Sequence, residues 1–174
     1  MFDQLDSLIK IFHTSRDDIG DFTPVDAEEL PQQYASLLAH NDHMTVTVEA
    51  WHNSLVDVHV LEAKQDDDSY SRRIVLNRQR DGTPVQFGIM RIKLGGLPEI
   101  VRMEIESRAL PLGRIMIRHH LLREVELCQL WRVQPGAELV THLQCNPEVP
   151  IFGRTARILT EGEVLVELLE IVLS

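Results

Sequence analysis

The sequence predicts an α+β fold, one antiparallel sheet with helices beside it, and three observations carry that expectation. Apolar residues recur at the helical period near the N-terminus. From Met44 onward most segments alternate with period two between turns rich in Gly, Pro, Asn and Asp. One helical stretch interrupts the alternation at about residues 97–117. At 174 residues, with 44% apolar and 25% charged side chains, the chain is expected to be a single domain, 1–174, large enough to bury a core. Residues 1–40 form its helical N-terminal part and 44–174 its sheet and flaps.

Taken in order, Phe2, Leu5, Leu8, Ile9 and Phe12 put an apolar stripe on a helix ending near Thr14. Thr23-Pro24 reads as a helix start, with proline tolerated in the first turn, and Pro31 opens a short helix through Leu38. At Met44 the period changes to two. Met44, Val46, Val48 and Ala50 fall on one face and Thr45, Thr47, Glu49 and Trp51 on the other, which predicts a strand. Leu55 to Ala63 is a further strand across Asn53-Ser54, and Tyr70 to Arg78 pairs with Pro84 to Leu94 across Asp81-Gly82. Leu97-Pro98 opens a helix to about Ser107. The kink Leu110-Pro111-Leu112-Gly113 then precedes a short helical run from Ile115 to Ile117. Glu124 to Val133 alternates again, Pro135-Gly136 turns, and Glu138 to Leu143 fits strand or helix. Phe152 to Leu159 and Val164 to Leu173 are strands joined at Glu161-Gly162.

Composition removes several classes of function. A net charge of -10 and a pI near 5.2 argue against a phosphate-neutralising, nucleic-acid-binding surface. The N-terminal MFDQLDSLIKIFH has acidic residues where a signal peptide would be basic, and no apolar run approaches a membrane span, so a cytoplasmic protein is expected. Cys128 and Cys145 lack CxxC spacing and read as buried thiols rather than a disulfide.

Leu37 to Asn53 holds His40, His43 and His52, which raises the question of a metal. If Met44 to Trp51 is a strand, His52 lies roughly 30 Å from the other two, beyond the reach of one ion. No metal site is expected, and none of GxSxG, P-loop, HExxH or GxGxxG is present. Arginines are the more informative residues. Arg72, Arg73, Arg91, Arg114, Arg154 and Arg157 lie in or beside apolar segments, where a guanidinium needs a partner or an opening to water.

The segments HNDHMTVTVE, SYSRRIVLNRQRDGTPVQFG, ALPLGRIM, FGRTARILTEGE and LLEIVLS occur in the order and approximate spacing seen in chorismate pyruvate-lyases. From Leu37 to Ser174 the chain resembles the divergent, chorismate-lyase-related branch of that family. The resemblance implies a six-stranded antiparallel sheet with flanking helices and a ligand enclosed beneath helical flaps. It also implies a lyase that removes the enolpyruvyl group of chorismate as pyruvate and leaves 4-hydroxybenzoate, with no metal or organic cofactor. Carried over by motif, the substrate-binding arginine is Arg72 and the essential glutamate is Glu170, together the expected catalytic pair. Leu112, beside Gly113, supplies a backbone contact to the ligand, and Met44 lines the pocket.

Strand parity agrees that Arg72 shares a face with Ile74 and Leu76, and Glu170 with Leu168 and Val172. One departure stands out: Ile89 occupies the position of a second ligand-binding arginine in the resembling enzymes, so Arg91, Arg154 and Arg157 become the candidates to replace it. Two other readings use the same pocket. One is a non-catalytic module that binds an aromatic carboxylate effector, since related folds serve as sensing domains of regulators. The other is a lyase-like enzyme acting on a different cyclohexadiene carboxylate. All three expect a small-molecule ligand, without nucleic acid or membrane as partner.

Overall fold

The computed structural model describes residues 2–121 and 124–174. Its core is one antiparallel sheet of seven strands: β1 (Gly20–Val25), β2 (Val56–Gln65), β3 (Ser69–Arg78), β4 (Pro84–Lys93), β5 (Glu124–Pro135), β6 (Ile151–Thr160) and β7 (Glu163–Val172). They lie in the order β1-β5-β6-β7-β4-β3-β2, so β7 and β4 are central and β1 and β2 are the edges. The hairpins expected at Asp81-Gly82 and Glu161-Gly162 are both present, each turn supplying a positive-φ glycine.

Among the described residues six α-helices flank the sheet. Helices α1 (Asp3–Ile9) and α6 (Ala137–Leu143) cover one face, burying Leu5, Leu8, Leu139 and Leu143 against Phe87, Ile89, Trp131 and Leu169. Four others cover the second face: α2 (Gln32–Leu38), α3 (Met44–His52), α4 (Glu99–Glu106) and α5 (Leu112–Arg118). There α2 and α3 pack on Ile74, Leu76, Val85 and Phe152, while α4 and α5 pack on Met90, Ile92, Ile158 and Val166.

Four sequence expectations change. The sheet has seven strands, not six. Thr23-Pro24 lies inside strand β1, not at a helix start; β1 is an edge strand, where a proline without an N–H leaves no neighbour's carbonyl unpaired on its open side. The alternating segment from Met44 is helix α3. Met44 and Val48 are also one helical turn apart, and with Thr45 they form its buried side, while Val46, on the expected inner face, is half exposed. Asn53, in the left-handed conformation, ends that helix. Finally, Cys128 is exposed and Cys145 half-buried, both free thiols, so neither is the buried residue expected. The open choice at Glu138 to Leu143 resolves to helix α6.

Candidate functional site

Between the two halves of the covered face lies a cavity of about 50 Å³. Its floor is built from alternate residues of four central strands. Ile74 of β3, Gly88 of β4, Glu170 of β7 and Arg154 of β6 lie in one row across the sheet, and Arg72, Met90, Leu168 and Ala156 in the next. Gly88 makes the hollow. A Cβ there would stand 3.3 Å from the Ile74 side chain, so a larger residue would fill the space the cavity uses. The roof is formed by the first residues of two helices, His43, Met44 and Thr45 at α3 and Pro111, Leu112 and Gly113 at α5. Thr45 and Gly113 meet there: a Cβ on Gly113 would lie 2.7 Å from the Thr45 hydroxyl. An Arg114–Glu49 ion pair fastens the two helices further along.

Two arginines enter the cavity in different electrostatic states. Arg154 is fully buried, and its Nε donates to Glu170 at 2.7 Å. Its other nitrogens donate to the backbone carbonyls of Leu38, His40 and Asp42 at 3.5, 2.8 and 3.0 Å, which holds the loop entering α3. Arg72 is 1% exposed and has no such set of partners. Its Nη2 donates to the Leu110 carbonyl at 3.1 Å, while Nε and Nη1 have no hydrogen-bond partner among the described residues. Burial pulls this guanidinium below its ordinary pKa, with the neighbouring Tyr70 hydroxyl acting in the opposite sense. A buried cation with idle donors beside a cavity is a site prepared for an anion.

The remaining expected residues divide by strand parity. Met44, Leu112 and Gly113 line the cavity with Arg72, Arg154 and Glu170. Arg91 does not: it points to the α1 side and pairs with Glu167, its Nη2 also donating to Ser7 Oγ at 3.0 Å. Arg157 alternates with Arg154 and lies in register with Glu167, hence on that same far face. Ile89 borders the cavity, but its side chain packs in the far cluster with α1, and by strand parity the β4 residues on the cavity side are Gln86, Gly88 and Met90.

Three polar contributors carry no distinct signature in the sequence. His43 has its Nε2 buried against the cavity without a partner among the described residues, and burial holds its pKa below the ordinary value, opposed by Glu170 and reinforced by Arg154. Thr45 sits beside it, and Gln86 offers a buried Oε1 that has no partner among the described residues. The one legible signal is on β4, where Gln86 and Gly88 share one face with the apolar Met90 and Ile92. Among the described residues no group of three or more His, Cys, Asp or Glu side chains is placed to hold a metal.

No protein-family model and no curated protein matches the sequence. Solved structures do resemble it. PhnF from Mycobacterium smegmatis aligns with a TM-score of 0.59 at 12% identity, covering 97% of this chain and 92% of that one. The ligand-binding domain of a protein described as a GntR-family transcriptional regulator, from Bordetella bronchiseptica, aligns at 0.53 and 12% identity over 68% of this chain and 86% of its own. YydK from Bacillus subtilis, described as a possible transcriptional regulator, aligns at 0.50 and 13% over 97% and 84%. The chain shares their fold. These likenesses correct the expectation of an enzyme: one of the three is described as a regulator's ligand-binding domain and one as a possible transcriptional regulator.

Proposed function

We propose that this chain is a non-catalytic ligand-binding module that takes a ring-bearing carboxylate into the cavity beneath α3 and α5. One observation carries the reading: Arg72, buried at the cavity with two idle donor nitrogens, calls for an anion, and a carboxylate supplies the charge and the acceptor oxygens. Around it the walls are apolar, with Ile74, Leu76, Met90, Val125, Ile158 and Leu168 suited to a ring or a branched hydrocarbon. At the opposite end Glu170 Oε2 is bound to Arg154, and its second oxygen is left to accept from a hydroxyl or amide of the ligand.

At about 50 Å³ the cavity is smaller than the ligand it would hold, since a cavity that takes benzene measures about 150 Å³. Binding therefore lifts α5 from α3, which makes the roof a natural reporter of occupancy in a regulatory protein. The fold likeness to a GntR-family ligand-binding domain supports this use. Any nucleic-acid contact in such an assembly would fall to a basic surface other than this acidic domain of net charge -10. Among the described residues no helix is long and apolar enough to cross a membrane, and a cytoplasmic setting belongs to the same reading.

Thermal unfolding of the purified chain with 4-hydroxybenzoate as a probe tests the proposal. A rise in Tm that continues with the logarithm of probe concentration is expected, equivalent to about 2.7 kcal/mol at a hundredfold excess over Kd. An unchanged Tm at millimolar probe would count against it.

A further inference from the structure

Resting on that reading, the charge balance of the cavity narrows the ligand class. Four ionisable side chains line it: His43, Arg72, Arg154 and Glu170. Burial favours the neutral form of His43. Arg154 and Glu170 cancel at 2.7 Å, and Arg154 cannot turn toward a ligand without abandoning the carbonyls of Leu38, His40 and Asp42. What remains is a single positive charge, on Arg72, with no carboxylate among the described residues paired to it.

Glu170 stands two strands across and one two-residue step along from Arg72, roughly 12 Å between Cα atoms by sheet geometry. The ligand's far end, once its carboxylate is on Arg72, meets Glu170. A hydroxyl, amide or other donor is accepted there. A second anionic group meets the carboxylate of Glu170 between apolar walls, where the repulsion is screened less than in bulk water.

We propose that the pocket selects monoanionic carboxylates against dianions of the same size, with Arg72 admitting the one negative charge and Glu170 excluding a second. Dicarboxylates and phosphate monoesters are thereby outside the ligand class, and so is chorismate, which carries two carboxylates.

The test uses an isosteric pair, 4-carbamoylbenzoate as monoanion and terephthalate as dianion, titrated calorimetrically into the full chain at pH 7.5. The monoanion is expected to bind at least about tenfold more tightly. In Glu170→Gln the acidic charge is gone and Arg154 loses its counter-ion, so the preference should shrink by about tenfold or invert. A double variant, Arg154→Met with Glu170→Met, keeps the net charge of the cavity while removing the local carboxylate, and should also lose the discrimination. Equal or tighter terephthalate binding by the unmodified chain would overturn the inference while leaving the carboxylate pocket standing, and so would an undiminished preference in either folded variant. If neither acid binds, the pocket is not a carboxylate site, and both readings fall. The comparison in the unmodified chain decides the matter even where a variant does not fold.

Discussion

Arg72 shows how a single residue can be costly to the fold and useful to the site. It removes a guanidinium from water yet recovers one hydrogen bond, to Leu110, where Arg154 recovers a full set. Arg72→Met keeps the stem and discards the unpaired donors, so the variant is expected to melt at or above the temperature of the parent and to lose the shift given by 4-hydroxybenzoate. A variant that is destabilised yet still responds to the probe would show that the arginine is structural. The inward position of this side chain is legible in the sequence, because Arg72 alternates with Ile74 and Leu76 and must share their side of the sheet. By the same parity Ile89 and Arg91 fall together on the opposite face, and a one-residue difference in strand phase is enough to move a side chain from cavity to far core. What parity does not reveal is that Arg154 is already committed to Glu170 and a loop.

Helix α3 is where an element departs most from its own sequence. Met-Thr-Val-Thr-Val has the β-branched content and alternation of a strand, yet it packs over the sheet as a helix and does not extend the open edge at β2. Packing of Met44 and Val48 on α2 and the sheet, with the Glu49–Arg114 pair to α5, outweighs a local preference worth only tenths of a kcal/mol per residue. The close approach of α3 and α5 gives a prediction at this scale. Gly113→Ala places a methyl 2.7 Å from Thr45 Oγ1 and 3.0 Å from its Cβ, so the helices must separate. A loss of about 1–3 kcal/mol in chemical unfolding is expected. Faster hydrogen exchange in α5 should accompany it, and unchanged stability would mean that the roof is looser than its geometry.

Across the whole molecule, acid sensitivity should follow the histidines that gather around the roof. His40, His43 and His52 are each held below the ordinary histidine pKa, in every case first by burial. The unfolded chain takes up protons near pH 6.5 while the folded chain resists them, so their stability contribution is complete above about pH 6.5 and is lost as pH falls below it. Melts at pH 5.5 should therefore come at lower temperature than at pH 7.5, with a shallower dependence in His43→Gln. A flat profile over that interval would contradict the burial of these rings. A separate loss is expected near pH 4 and below. There Asp66 and Asp81, held low by backbone N–H groups of Asp68 and Thr83, and Glu104, held low by His119, become protonated.

By itself the sequence determined what depends on local chemistry: the α+β class, the hairpins at Asp81-Gly82 and Glu161-Gly162, the proline-led helices α2 and α4, the helical run at Ile115 to Ile117, which in α5 begins earlier, at Leu112, and the inward faces of Arg72 and Glu170. Turn residues and side-chain periodicity act over a few neighbours, so they can be read one segment at a time. Tertiary structure alone decided that Met44–His52 is a helix, that Gly20–Val25 closes the far edge of the sheet, and that Arg154 is spent while Arg72 is free. Each of those outcomes rests on partners that local spacing does not specify, or on competition for them. Glu170 and Leu38 reach Arg154, and β5 receives β1, only after the chain has folded.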